Sequence, residues 1–543
     1  MTRMLVTVLL LALSGPAVAA PKRGENASSV EGAARNALDL LGDERVEEAA
    51  AALEPLLSTS STDPVVALAA GVLRLHEQRY GEAVALLEKA GSSGVGRDWL
   101  ELARSARDVT KNHLTAESDH FVVSHPKGKE EVLVPYLLEA LEAQRAALEK
   151  DLGWVPPGKV RVEILETTRE LARLSTLSEE EIKTTGTIAI CKFNKMMVTS
   201  PKALVHGYEW LDTAAHEYVH YVVTRRTMNN TPIWLHEGLA RWHESRWRGP
   251  GGEILSPWSA ALLRDAARRD KLVTFAQMHP SMAKLPSQEA AALAFAEVAV
   301  AIDYMKKKGG PTAMVKLMDE LAAGKSAEEA VAAAMREPFA AFFQGWRREL
   351  ATRPLPEGGE QEMRKLRFLG DPKHGGTYSE WAEIPDEEAR RFARLGEIFR
   401  ERGRFEPARQ EYGKAVAKVG ARYPMLAGRY AMASMVTGHD ADAERALTEA
   451  LRGHPEDAGL HVQKGRLYVK RHEWQKAVDA LLLANRVDPF DPEIHAGLAQ
   501  AERALGDENA ASREERFARI LAGHEPAPSG EGPADHSTPP GHP

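Results

Sequence analysis

The 543-residue chain has a single cysteine, Cys191, so no disulfide can form within it and stability must rest on packing and bound groups. Cys191 lies in the apolar, β-branched run Thr187-Ile-Ala-Ile-Cys-Lys-Phe193 and reads as a small strand residue rather than a nucleophile. Positive charge is not in excess. Lys and Arg number 70 against 78 Asp and Glu, a net charge of −8, which excludes the basic field that draws phosphate backbones and with it nucleic acid as a partner. Aromatics are scarce at 6%, while Ala, Leu, Glu and Arg recur throughout, a helix-rich composition. Beyond the N-terminus no run of about 18 apolar residues occurs, so the mature chain is not expected to span a membrane. No Gly-rich phosphate loop and no Ser-His-Asp arrangement with a flanking motif is present.

What is present begins with Arg3, the apolar run Met4 to Leu13, and Ala17-Val-Ala-Ala20. A short positive stretch, an apolar stretch too short for a bilayer and a small-residue cleavage site read as a signal peptide over 1–20, hence export to a periplasm or the medium. Small residues then recur near the C-terminus: Ala408, Ala443, Ala477 and Ala511 are spaced by 35, 34 and 34. Gly396, Ala431, Gly465 and Ala499 precede them by twelve, and Ala415, Ala450, Ala484 and Ala518 follow by seven. With Phe399 or Tyr468 in the first helix and Tyr412, Leu447 or Leu481 in the second, this pattern resembles the tetratricopeptide repeat, whose helices approach closely at the small positions. The same register appears at Ala37, Ala49, Gly71, Ala83 and Ala90.

Between these arrays the pattern changes. Residues 119–125, 159–165 and 187–199 read as strands or a hairpin, and 131–152 as a helix. The expected order is a signal peptide (1–20), helical hairpins (28–110), an α+β domain (115–352), a linker (353–385), four hairpins (386–523) and a tail (524–543) too rich in Pro, Gly, Ser and His to bury a core.

The chemistry sits in Trp210-Leu-Asp-Thr-Ala-Ala-His-Glu-Tyr-Val-His220. Leu211, Ala215, Tyr218, Val219 and Val222 keep a helical period, so His216 and His220 stand one turn apart on one face and both imidazoles can reach one ion. Glu217, about 100° around the helix, is placed to act as general base without ligating. Thr213 and Thr224 share the site face; Tyr218 points to the core. A chance His-Glu-x-x-His is expected about 0.1 times in such a chain, so its context has to decide.

That context is Ile233-Trp-Leu-His-Glu237-Gly-Leu-Ala-Arg-Trp242. It resembles the downstream signature of gluzincins, most closely the peptidase-MA-like family, in which Trp-Leu-x-Glu-Gly-Leu-Ala supplies a third metal ligand. The resemblance implies Glu237 as that ligand, with His236 and His243 as rivals. Two His and one carboxylate leave a zinc position open, as catalytic zinc requires. Metzincins are excluded, because Val223 and Arg226 stand where their Gly and third His would be.

Two positions depart from the family. Arg241 replaces an acid able to support a metal-bound His, a task left to Glu244 or Asp212. Phe295 replaces a Tyr able to stabilise an oxyanion, leaving His206, Tyr208, Tyr221, His243 and Tyr304 as candidates. The implied fold is mainly α, with an α+β zincin-like domain between helical-hairpin arrays. The implied function is an exported zinc-dependent peptidase acting on peptides or proteins, with His216, His220 and Glu237 holding zinc, Glu217 as base, and the arrays binding substrate or partner proteins. The alternative is a scaffold with a degenerate metal domain.

Overall fold

Several helices begin where an Asp side chain can take up free amides. Asp63 accepts the amides of Val65 and Val66 just before Pro64, and Asp386, Asp457 and Asp491 cap later helices in the same way. The computed structural model describes residues 30–59, 63–91, 95–249, 254–279, 282, 285–354 and 380–523. The expected signal peptide, the tail and most of the linker lie outside the described residues.

Five helices come first: α1 (Val30–Gly42), α2 (Val46–Thr59), α3 (Pro64–His76), α4 (Tyr80–Ala90) and α5 (Val95–Thr110). A mixed segment follows, with β1 (Leu114–Glu117), β2 (Phe121–His125), α6 (Val134–Leu152), β3 (Val160–Leu165), α7 (Thr168–Leu174), α8 (Glu179–Thr185), β4 (Ala189–Lys192) and β5 (Lys195–Thr199). Helices then take over as α9 (Trp210–Thr227), α10 (Ile233–His243), α11 (Pro257–Arg268), α12 (Phe275–Met278), α13 (Gln288–Gly309), α14 (Ala313–Ala322), α15 (Ala327–Met335) and α16 (Phe339–Thr352). The last segment holds α17 (Glu387–Glu401), α18 (Phe405–Val419), α19 (Pro424–Val436), α20 (Asp440–Gly453), α21 (Ala458–Lys470), α22 (Trp474–Asn485), α23 (Pro492–Leu505) and α24 (Glu508–Leu521), paired as four hairpins. The fold is mainly α around a small mixed sheet, as the sequence led us to expect.

Small residues do sit at the helix contacts. A Cβ on Gly465 would fall 2.5 Å from Leu481, and one on Gly71 would fall 2.6 Å from Leu87. These two glycines hold the same place in the 34-residue register, so the α3–α4 hairpin packs as α21–α22 does.

The sheet runs β1-β2-β3-β5-β4, with β2, β3 and β5 parallel and the two outer pairs antiparallel. Pleating sends alternate side chains to opposite faces. Val162, Ile164, Met196 and Val198 join a core with α6, α9 and α10, whereas Leu165, Ile190 and Met197 join one with α1–α5. Glu163 and Lys195 point to this second face and are buried there. Lys195 Nζ lies 2.5 Å from Glu163 and 2.6 Å from the Tyr80 hydroxyl, which donates to the other Glu163 oxygen. The β4–β5 turn is held from the same side, since Glu44 accepts the amides of Phe193 and Asn194 at 3.0 and 2.9 Å.

The last hairpins meet the opposite side. Leu482, Phe490, Phe517 and Leu521 pack into the core of the central body. The amides of Tyr208 and Trp210 donate to the carbonyls of Val487 and Arg486 at 3.0 and 3.2 Å, and the Trp210 indole donates to the Asn485 carbonyl at 3.0 Å. No side chain caps α9; its first amide is taken by the carbonyl of Arg486, the residue that follows α22, so a free donor meets a free acceptor.

Candidate metal centre

From Trp210 to Val223 every residue of α9 is buried, so each polar side chain there needs a partner. His216 and His220, one turn apart, have ring centroids 4.6 Å apart. α10 packs across them and brings in Glu237, whose Oε2 lies 3.4 Å from the Nε2 of each histidine. The ligand atoms of these three residues all fall within 4.8 Å of one another. His216 Nε2, His220 Nε2 and Glu237 Oε2 are buried without a hydrogen-bond partner. Three orphaned donor atoms converging on one point, two imidazole nitrogens and a carboxylate oxygen, form a set that fits a catalytic zinc.

The electrostatics point the same way. Burial opposes a charge on His216, but Glu237 and Glu244 outweigh it and hold its pKa up to about 9. Burial likewise opposes the charge on Glu237, yet the two histidines bring its pKa down to about 2. Burial depresses His220 to about 4. The site thus calls for one positive charge beside Glu237, supplied by a proton on His216 that a cation would displace. Glu217 is fully buried, with no side-chain partner and only the backbone of Cys191 on β4 beside it. Burial, with the charge of Glu237 adding to it, pushes its pKa up to about 8.

The outward nitrogens of the two histidines are held differently. His216 Nδ1 lies 3.1 Å from Glu244 Oε2, which also accepts from Arg241 at 3.0 Å. The carboxylate missing at 241 therefore arrives from 244, and Arg241 orients it. Asp212, the other candidate for this task, is taken by Trp247 Nε1 at 2.9 Å and by Arg248. His220 Nδ1 lies 2.5 Å from His236 Nδ1, and His236 Nε2 lies 3.1 Å from Thr224 Oγ1. The sequence offers His236 as a rival ligand, and nothing in the helical spacing shows that its ring reaches the far side of His220. His243, the other rival, turns away to the Leu239 carbonyl at 2.8 Å. Thr213 is spent on the Glu209 carbonyl at 2.9 Å, and Tyr218 packs edge-on against Phe121 in the core.

Two of the candidate oxyanion donors have other hydrogen-bond partners, although Tyr208 lies close enough to Glu217 to feel its charge. Tyr208 donates to the Thr199 carbonyl and Tyr221 to Asn194 Oδ1 at 2.8 Å. Tyr304 stands over Gly345 in α16 and packs on Phe342, and His206 sits half-buried in the loop before α9. Phe295 is buried in the core. Cys191 lies half-buried on β4, its thiol pushed well up by burial and by the neighbouring charge of Glu217.

Residues 142–352 match the family model of the Peptidase MA superfamily, and residues 438–501 match a tetratricopeptide repeat model. No curated protein matches the chain. Among solved structures, yeast LTA4 hydrolase in complex with bestatin shares 12% identity, covering 76% of this chain and 66% of that one at a TM-score of 0.31. The MamA protein shares 18%, covering 26% and 78% at 0.23. The Cut9–Hcn1 hetero-tetramer of APC/C shares 13%, covering 92% and 88% at 0.23. At such TM-scores none of the three bears on the site. The central body of this chain is thus similar to the Peptidase MA superfamily, and it is joined to hairpins similar to the tetratricopeptide repeat.

Proposed function

We propose that the chain is a zinc-dependent peptidase, exported by the N-terminal signal to a periplasm or the medium, with its hairpin arrays binding substrate or partner proteins. The observation that carries this reading is the convergence of three orphaned ligand atoms, from His216, His220 and Glu237, beside the buried carboxylate of Glu217. A buried carboxylate with no side-chain cation of its own is costly to the fold, and Glu217 makes sense as a group kept for proton transfer. No helix among the described residues is long and apolar enough to cross a membrane.

In this reading His216, His220 and Glu237 hold the ion, while Glu244 and His236 hold the histidines in place. Bound zinc supplies Lewis acidity and lowers the pKa of water toward neutrality. Glu217 takes the proton of the attacking water and passes it to the leaving amine. β4 pairs only with β5 among the described residues, and its other edge suits an extended peptide adding by main-chain hydrogen bonds.

The test is metal content together with hydrolysis of a mixed peptide library. We expect one zinc per chain, and cleavage reduced by about 10²–10⁴-fold in Glu217→Gln with zinc retained. Zinc without cleavage in the wild type would favour the scaffold reading, and absence of zinc would overturn the ligand set.

A further inference from the structure

The unusual feature beside the metal centre is a histidine bonded at both ring nitrogens to the helix that carries two of the ligands. His236 precedes Glu237 on α10 and is buried. Its Nδ1 lies 2.5 Å from Nδ1 of His220, and its Nε2 lies 3.1 Å from Oγ1 of Thr224, one turn further along α9. The rings of His220 and His236 are 22° from parallel with centroids 4.6 Å apart. An imidazole nitrogen sits roughly 1.1 Å from its ring centre, so rings whose nitrogens are this close, at that centroid separation, meet edge to edge. That is the geometry of a nitrogen-to-nitrogen hydrogen bond.

The consequence for His220 is a choice of tautomer. A neutral imidazole carries its proton on one nitrogen and offers a lone pair on the other. An ion held at Nε2, the atom that faces Glu237, needs the lone pair there, so His220 keeps its proton on Nδ1 and donates it to His236. His236 then carries its own proton on Nε2 and donates it to Thr224. The same two bonds fasten α10 to α9, and Glu237 is the next residue along. The partner of His216 is a carboxylate, Glu244, whereas that of His220 is an imidazole.

We propose that His236 is a positioning residue of the metal centre: it presents His220 Nε2 to the ion and sets Glu237 against the two histidines. The inference rests on the zinc reading above. Residues that hold the outer nitrogen of a ligating histidine are worth about 10–100-fold in metal affinity.

The experiment measures zinc affinity by competition with a chromophoric chelator, alongside thermal unfolding of the metal-free proteins. The set is wild type, His236→Ala, His236→Asn, His236→Gln and Thr224→Val. The amide of Asn can replace Nδ1, and that of Gln can replace Nε2. We expect His236→Ala to lose about 10–100-fold in zinc affinity with its metal-free unfolding transition still cooperative. His236→Asn should recover most of that loss, and His236→Gln should not. Thr224→Val should produce the smallest loss of affinity. Equal recovery by Asn and Gln, or His236→Ala within twofold of wild type, would overturn the inference while leaving the zinc reading intact. A wild type that takes up no zinc would instead remove the reading on which it rests.

Discussion

The two sets of hairpins grip the central body by different means. The N-terminal hairpins use charge: Tyr80, Glu163 and Lys195 form a buried cluster on the sheet, and Glu44 caps the β4–β5 turn. That turn in turn binds α9, through Asn194 Oδ1 accepting from Tyr221 and from Arg225 at 3.2 Å. The C-terminal hairpins use backbone, with the carbonyls of Arg486 and Val487, just past α22, taking the amides of Trp210 and Tyr208 where α9 starts. One grip secures the strand edge beside the site and the other secures the site helix. Only the second half of the C-terminal array is used this way. The hairpins α17–α18 and α19–α20 build cores apart from that of the central body.

The comparison yields graded expectations. Lys195→Met strands the Glu163 carboxylate in the core and should destabilise the protein by about 3–5 kcal/mol in a denaturant titration. A loss under about 1 kcal/mol would mean that the charge cluster does not hold the N-terminal hairpins. Gly207→Ala attacks the backbone grip. At φ +64 its Cβ would fall 2.1 Å from the Val487 carbonyl oxygen, a strain worth about 2–3 kcal/mol. Hydrogen exchange should show the Tyr208 and Trp210 amides losing protection, with those of α4 unchanged.

Charge matters at the C-terminal contact too, in a way that pH exposes. Burial, then the charge of Glu514, pushes the Glu502 pKa up from 4.5 to about 7. As pH rises the unfolded carboxyl ionises first, so the folded state holds the extra proton and stability falls between pH 4.5 and 7. Glu502→Gln should therefore match wild type near pH 4 and exceed it by about 1 kcal/mol at pH 8, after allowing for solvent screening. A gap that does not widen with pH would remove this carboxyl from the contact. The smallest effect belongs to Glu47, which is 69% exposed where it meets Arg225; Glu47→Gln should change stability by no more than about 0.5 kcal/mol.

Much of the fold was legible because it depends on local period. The 34-residue register located the hairpins, and alternation located β2, β3 and the β4–β5 hairpin. β1 was not expected. Leu114-Thr-Ala-Glu117 is mostly exposed and shows no alternation, because it is held by pairing with β2 rather than by burying a face. The docking of α22 on α9 was equally hidden, since backbone carbonyls leave no mark in a sequence.

At the site the division is similar. The sequence by itself determined that His216 and His220 share one helix face, because a four-residue step is one turn, and it marked Glu217 and Glu237 as carboxylates worth placing. Only the tertiary structure decided that Glu237 comes to 3.4 Å from both imidazoles. It also decided that Glu244 rather than Asp212 holds His216, and that His236 lies behind His220. Those outcomes depend on how α10 crosses α9, and that crossing is set by contacts spread over the whole central body rather than by the period of either helix.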